Sequence, residues 1–408
     1  MLNRVWPAFF LLAFASCLWQ AILGHPEVLA AAVEASFKTA KSAVEIALGL
    51  TGVLCFWLGL FQIAEKSGLT DRLAWVLAPL FRRLMPDVPA GHPAIGSVTM
   101  NMAANMLGLD NAATPMGLKA MRDLQSLNPD PETATNAQVL FLVLNTSSVT
   151  LIPVSVFVYR AQMGAPDPAS VFLPILMATS VGTLTGLLAV AWVQKLKLWD
   201  TVVFAYLAAF LALMAGMVSL VIGLPPEALG ARSSLIGNLA IFGVIALFLL
   251  AGWRKQVPLY DAFITGAKQG FEVAVNLIPF MVAMLVAIAM FRASGILDLL
   301  LGGLASGFAW LGLNTDFVPA LPTALMKSFS GSGARAMMIE TMQTYGVDSF
   351  PARVAAIVQG SSETTFYVLA VYFGSVGIRH ERQALACGLL ADLASVIAAI
   401  LVAYWFYY

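Results

Sequence analysis

The chain has 408 residues, of which 60% are hydrophobic and 11% are charged, whereas soluble domains carry about 25% charged residues. Its net charge is zero, so no electrostatic field indicates nucleic acid as a partner. Several apolar runs reach the roughly 20 residues that cross a bilayer as a helix. The sequence therefore predicts an all-α polytopic membrane protein embedded in the lipid bilayer.

About nine transmembrane helices are expected. Arg4 and the apolar run after it resemble a signal peptide, but the run continues to about residue 23, which favours a retained first helix. The predicted spans lie near residues 5–23, 43–64, 137–159, 171–193, 200–222, 234–252, 271–291, 354–376 and 383–406. Most Lys and Arg residues then fall on one side, and the positive-inside rule puts the N-terminus in the cytoplasm and the C-terminus on the periplasmic or extracellular side.

Two regions, 92–118 and 318–340, are rich in Gly, Pro, Asn, Ser and Thr. They are too polar for simple spans and too apolar for water-exposed loops. In lipid, irregular backbone survives only where protein or a wet cavity satisfies its amides and carbonyls. We therefore expect two re-entrant hairpins, each preceded by a segment near the membrane interface (67–85 and 294–312).

Part of the chain repeats itself. Residues 40–84 align with 267–311 without gaps, and fourteen of the 45 aligned positions are identical, including the patterns Lys-x-x-x-Glu and Ser-Gly-x-x-Asp-x-Leu. The predicted spans give the two copies opposite directions across the membrane. Such inverted-topology repeats usually flank a central binding site and exchange roles during transport.

The first predicted hairpin carries Asn105, Asp110 and Asn111 among Gly, Ala and Thr residues. Small residues allow close backbone approach, and Asn side chains both donate and accept hydrogen bonds. These three residues are candidate ligands of a bound solute or ion. Asp110 is either a carboxylate facing that ligand or a cap for the returning helix.

A polar segment, residues 145–153, interrupts the predicted span 137–159 and ends at Pro153. Its candidate ligands are Asn145, Thr146, Ser147 and Ser148. Pro153 has no amide hydrogen, and its ring clashes one turn back, which predicts a broken helix at bilayer depth. We interpret the cluster as a solute or ion site; hydrogen bonding between helices is the alternative.

The span 354–376 contains the corresponding segment. It consists of Ser361, Ser362, Glu363 and Thr364. A carboxylate in the middle of a membrane is costly unless it is paired, hydrated or protonated. Glu363 is therefore a candidate proton carrier, cation ligand or hydrogen-bonding group for the substrate, or else it forms a permanent ion pair with Lys327 or Arg335.

The second hairpin has a Ser-Gly-Ser-Gly tip that contains Ser330 and Ser332, flanked by Lys327 and Arg335. Backbone amides at such a tip can bind an oxyanion if they lie at the N-terminus of the returning helix. Lys327 and Arg335 could bind an anionic substrate, pair with Glu363 or extend towards the membrane surface.

Motifs for other chemistry are absent from the sequence. It has no phosphate-binding loop, no cluster with metal-ligand spacing and no nucleophile beside a base. We therefore predict neither an enzyme nor a cofactor or metal. Asp392 in the last span could cap a helix, relay protons or face a cavity, and the sequence does not distinguish these roles.

Two sets of motifs resemble known families. The segments LDNAATPMGLKAM (109–121) and LNTSSVTLIP (144–153) closely resemble the spore maturation protein A family. The segments IPFMVAMLVAI (278–288), SFSGSGA (328–334) and QGSSETTFYVLAVYFGSVG (359–377) resemble the spore maturation protein B family. The chain thus resembles a natural fusion.

Both resemblances imply membership of the nucleoside-recognition, or Gate, family, which shares a domain with concentrative nucleoside transporters and ferrous iron permeases. They imply a bacterial inner-membrane protein with an A-like half at 1–198 (repeat about 40–160) and a B-like half at 199–408 (repeat about 267–376). The leading hypothesis is a secondary transporter of a small polar or anionic solute, coupled to H⁺ or Na⁺. The alternatives are a non-transporting scaffold or regulator of envelope or spore maturation and, less favoured, a channel; a homo-oligomer is compatible with each.

Overall fold

The computed structural model describes residues 2–107, 110–147, 150–151 and 153–408, without the side chains of residues 2–5, 110–112, 226 and 227. In these residues the chain begins with α1 (Leu2–Ile22), α2 (Glu27–Lys66), α3 (Leu69–Leu84), α4 (Pro93–Met106), α5 (Asp110–Gln125), α6 (Asn136–Thr146), α7 (Val154–Gln162) and α8 (Phe172–Gln194). It continues with α9 (Thr201–Ser219), α10 (Pro226–Arg254), α11 (Leu259–Ala293), α12 (Ile296–Trp310), α13 (Leu321–Phe329), α14 (Gly331–Tyr345), α15 (Phe350–Ser361), α16 (Thr365–Ser375) and α17 (Ala384–Tyr407).

The predicted all-α membrane fold is confirmed. Within the described part of the chain, seven segments are helical, long and apolar enough to cross a membrane: α2, α8, α9, α10, α11, α15 with α16, and α17. The two remaining predicted spans are the shorter apolar helix α1 and the pair α6 and α7, which is interrupted near its middle.

The two halves use the same series of elements. A long helix (α2 or α11) leads to a shorter helix (α3 or α12), then a helical hairpin, a broken helix and a final long helix (α8 or α17). The hairpins are α4 with α5 and α13 with α14, as the polar composition predicted. The broken helices are α6 with α7 and α15 with α16.

The repeated Ser-Gly pair has the same structural role in both halves. Ser67 Oγ donates to the carbonyl of Ala64 at 2.7 Å, and Ser294 Oγ donates to Phe291 at 2.8 Å. The glycine that follows each serine has a φ of 73° or 75°, a conformation that other residues rarely adopt. The pair therefore ends the long helix and starts the next one in both halves.

The halves are arranged as inverted repeats. A Cβ on Gly59 of α2 would lie 2.6 Å from the Phe263 ring of α11, and one on Gly270 would lie 2.6 Å from Cys55 Cα. Contacts thus move backwards along α11 as they move forwards along α2, so the two equivalent helices are antiparallel neighbours. The final helices repeat this pattern, with Gly182 of α8 against Ser395 of α17 and Gly186 against Ala391.

Loops of one half are bound to the other half at two places. Arg160 of α7 is fully buried and donates to Val347 O at 3.1 Å and to Asp348 at 2.7 Å, before α15. In the loop before α6, the Ala134 amide donates to His380 O at 3.0 Å, after α16. We call these contacts the Arg160 tie and the His380 tie.

Candidate functional site

A cavity of about 230 Å³ lies where α2 and α11 meet the second hairpin and both helix breaks. Leucines and aromatic residues of α2 form its apolar wall together with apolar residues of α7 and α11. Its polar lining consists of Gln62, Glu65, Asn105, Thr150, Ser155, Tyr159, Gln269, Lys327, Arg335, Gln359, Ser362 and Glu363. The cavity therefore brings both halves of the chain to one polar space.

A chain of amides runs from the cavity wall into the first half. Asn105, which lines the cavity, donates to Asn145 Oδ1 at 3.0 Å, and Asn145 donates to Asn101 Oδ1 at 2.6 Å. Asn101 in turn donates to the carbonyl of Ala113 at 2.7 Å. Asn145 thus joins the first broken helix to the first hairpin, and among the described residues Asn105 connects it to the cavity.

Two hydroxyl groups of the first break bond to the backbone inside the protein. Thr146 and Ser147 both donate to the carbonyl of Val143, at 3.0 and 2.8 Å. The carbonyl of Thr146 accepts the amide hydrogen of Glu363 at 2.7 Å, so the two breaks touch directly. Ser148, also predicted from the sequence, lies outside the described residues.

The second break contributes side chains to the cavity itself. Ser362 and Glu363 line it, whereas Ser361 donates back to Val358 O at 3.0 Å and Thr364 is buried just before α16. Within the described part of the chain, the Glu363 carboxylate has no ion-pair partner within 4 Å. A solute in the cavity would meet this carboxylate directly.

The second hairpin supplies two cationic groups. Lys327 is buried and donates to Gln359 O at 2.9 Å, at the C-terminal end of α15, where the helix dipole favours positive charge. Arg335 lines the cavity and donates from Nε to Gly331 O at 3.2 Å. Both residues line the same cavity as Glu363.

The remaining predicted residues lie at the hairpin tips. Ser330 Oγ accepts the Gly333 amide at 3.1 Å and lies 3.1 Å from Ser332 Oγ, so it caps α14. The helix α5 begins at Asp110, but the side chains of Asp110 and Asn111 are outside the described residues. The tip serines therefore shape the hairpin in this structure.

The sequence reasoning missed Gln62, Glu65 and Gln269. Each is polar in or beside a predicted span, which was the available signal, but only the antiparallel contact of α2 with α11 brings them together. Together with Glu363, Lys327 and Arg335, the described lining carries two carboxylates, two cationic groups and several amides. Such a set can bind a small polar solute through both donors and acceptors. No group of three or more metal-ligating side chains occurs among the described residues.

These features define a class: a polytopic helical membrane protein in which inverted repeats, paired hairpins and paired helix breaks surround a polar cavity. The family model for nucleoside recognition, Gate, matches residues 47–163 and 274–379, which is more than half of the chain. The chain belongs to the Gate family.

Two curated relatives match parts of the chain. Spore maturation protein B of Bacillus subtilis (strain 168) is 46% identical over 159 residues, 39% of this chain and 88% of the relative. Spore maturation protein A of the same organism is 44% identical over 148 residues, 36% of this chain and 76% of the relative. The predicted combination of A-like and B-like sequences is confirmed.

One solved structure also resembles the chain. It is the YdaH transporter of Alcanivorax borkumensis, described as having an unusual topology. The similarity covers 94% of this chain and 88% of that one, with a TM-score of 0.43 and 16% sequence identity.

Proposed function

We propose that this protein is a secondary transporter of a small polar solute across the bacterial inner membrane, with its N-terminus in the cytoplasm. The observation that carries the proposal is the cavity at the meeting point of the two inverted halves. Inverted repeats allow the halves to exchange conformations, so that one central site opens to each side in turn. A membrane scaffold needs neither paired helix breaks nor a polar cavity between them.

The lining indicates the chemistry of the solute. Arg335 and Lys327 offer cationic donors, and Glu363 and Glu65 offer acceptors, around the same cavity. A solute with an anionic group and a separate donor would match this arrangement. The volume of about 230 Å³ is below the roughly 300 Å³ at which pockets for drug-sized ligands begin, which favours a metabolite-sized molecule.

Ligand binding should be tested first, because a ligand stabilises the folded state that binds it. The purified chain would be screened by thermal shift against nucleosides, amino acids and dicarboxylates. We expect a compound of one class to raise the melting temperature. That rise should disappear in Glu363→Gln and Arg335→Gln and persist in Asn238→Ala, a control on the exposed face of α10.

Transport is tested by exchange of the radiolabelled hit across proteoliposomes preloaded with the same compound. Exchange that requires Glu363 and Arg335 supports a transporter. Binding without exchange would instead favour a regulator or scaffold. A hit that stabilises both variants as well as the wild type would place the site elsewhere.

A further inference from the structure

Asp392 is buried in the middle of α17, with 5% of its surface exposed. Its Oδ2 accepts hydrogen bonds from Ser328 Oγ at 2.9 Å and from Thr365 Oγ1 at 2.7 Å. Its Oδ1 is buried without a hydrogen-bond partner in the described part of the structure. Half of this carboxyl group is therefore unsatisfied at membrane depth.

An unpartnered carboxylate oxygen in a low-dielectric interior is costly, and the cost falls when the group is protonated or binds a cation. The arrangement around Asp392 favours a proton, which needs only Oδ1, whereas a metal cation needs several oxygen ligands. Ser395 lies one turn further along the same helix, and its Oγ is also buried without a described partner.

Few charged groups lie on the helices packed against Asp392, and Glu363 lies in the break between two of them, α15 and α16. The helices α6, α8 and α16, which pack against α17, contain no charged residue or histidine. The first of the other neighbours, α13, contributes Lys327, which attracts the Asp392 carboxylate. The second, α15, carries Arg353, which is in an ion pair with Asp348. The third, α10, carries charges only at residues 227, 232 and 254. The remaining titratable groups on α17 and the helices packed against it are uncharged: Cys387, Tyr404, Tyr407, Tyr367 and Tyr372.

Lys327 also affects which ion can bind near the second break. Broken-helix transporters often hold a coupling cation at the carbonyl end of a half-helix. Here the Lys327 ammonium donates to Gln359 O in the last turn of α15. A fixed amine already occupies that carbonyl. The break then has two acids beside it, Glu363, which faces the cavity, and Asp392, which is buried on α17.

We propose that Asp392, which is not part of the described cavity lining, is the proton-binding site of the transport cycle. This inference rests on the proposed transport function. A proton from one aqueous side adds to Oδ1, and the same proton leaves to the other side after the halves exchange conformations. No other covalent bond in the protein forms or breaks in this step.

The partners of Asp392 explain how protonation reaches the solute site. Ser328 lies in the last turn of α13, the first helix of the second hairpin, and Thr365 starts α16 after the second break. A Cβ on Gly388, one turn before Asp392, would lie 3.4 Å from Thr146 Oγ1 in the first break. Hydrogen bonds to a charged acceptor are stronger than those to a neutral one. Protonation therefore loosens the second hairpin and the second break from α17.

The protonation itself can be observed without a known substrate. Infrared difference spectra of the full-length protein in nanodiscs would be recorded over a pH titration. We expect a carboxylic-acid carbonyl band that is lost in Asp392→Asn and retained in Asp261→Asn, which removes an exposed acid. Thr365→Val keeps the acid and removes one donor to its ionised form, so the band's midpoint should move to higher pH. That variant keeps the proposal testable if Asp392→Asn does not fold.

The coupling is tested by a cysteine reporter in the cavity. Ser155→Cys, in a background without Cys17, Cys55 and Cys387, would be labelled at several pH values with and without Asp392→Asn. We expect the ratio of the labelling rate with Asp392 to the rate with Asp392→Asn to change with pH around the midpoint of the infrared band. The pH dependence of the thiol reaction itself is the same in both proteins and cancels in this ratio. A constant ratio would overturn the coupling.

Three further outcomes separate this inference from the proposed function. Solute exchange without an Asp392 band overturns the proton site and leaves transport standing. A band whose midpoint moves strongly when Na⁺ replaces choline assigns the site to sodium and overturns the proton assignment. An Asp392 band in a protein that exchanges no solute overturns the coupling role together with the proposed function.

Discussion

Arg160 and Arg379 each form an ion pair between the two halves, in very different surroundings. Arg160 is fully buried, lies 2.7 Å from Asp348 and also donates to backbone carbonyls. Arg379 lies 3.1 Å from Glu132 with its side chain 74% exposed. Water screens the second pair, and its contribution is correspondingly small.

This contrast gives a prediction. Arg160→Met should lower the free energy of unfolding by about 3 kcal/mol, near the lower end for breaking a buried pair, because Asp348 retains Arg353 at 3.6 Å. Arg379→Met should change it by less than about 1 kcal/mol. Unfolding by SDS in mixed micelles would measure both. Equal losses in the two variants would contradict the assignment of the Arg160 tie as the stronger one.

At the same scale, the sequence predicted part of the candidate site. Ser362, Glu363 and Asn105 line the cavity, because polar groups inside a membrane segment gather where partners or water can reach them. Thr146, Ser147 and Ser361 instead bond carbonyls three or four residues earlier. Residue type does not reveal this choice, because short hydroxyl side chains bond equally well to their own helix.

The contact between α2 and α11 depends on glycine. A Cβ on Gly270 would lie 2.6 Å from both Cys55 Cα and Leu54 O, and backbone atoms cannot move aside as a side chain can. Gly243 on α10 has no atom within 4 Å of the same position. The two glycines therefore form a matched pair for testing this contact.

We expect Gly270→Val to destabilise the protein by roughly 1–3 kcal/mol, the usual cost of overpacking. Gly243→Val should have little effect, because its side chain would enter open space. Thermal unfolding in detergent would report the difference in melting temperature. A Gly270→Val protein as stable as the control would show that the two helices can separate without cost.

Among the elements, the hairpins and breaks followed from composition because Pro, Gly and Asn leave backbone groups that only protein or water can satisfy. The start of α2 did not. It begins at Glu27, before the predicted span at 43–64, because residues 27–42 are rich in Ala and form a helix readily. Hydropathy detects the part of a helix that lies in lipid and overlooks such an extension.

At the scale of the whole molecule, the inverted topology predicts that equivalent residues of the two repeats lie on opposite sides of the membrane. Lys41 and Lys268 are equivalent exposed residues on antiparallel helices. A cysteine at either position, in a background without the native cysteines, should react with an impermeant reagent from opposite sides of the membrane. Labelling of both positions from the same side would contradict the inverted topology of the repeats.

The direction of the repeats could be predicted because the number of spans between them fixes their relative orientation. The contacts between the halves could not, because hydropathy does not say which helix faces which. The meeting of Gln62 with Gln269 in one cavity and the amide chain through Asn101 therefore appear only in the folded protein.

The pairing of α2 with α11 also has a consequence for biosynthesis. Cys55 and Gly270 are in contact, yet the ribosome makes them more than 200 residues apart. At about 5–20 residues per second, the first half waits on the order of 10–40 s in the membrane before its partner is complete. During that interval the carbonyl of Thr146 lacks the amide of Glu363. Until the second half is made, the first half therefore exposes the surface of α2 that later packs against α11.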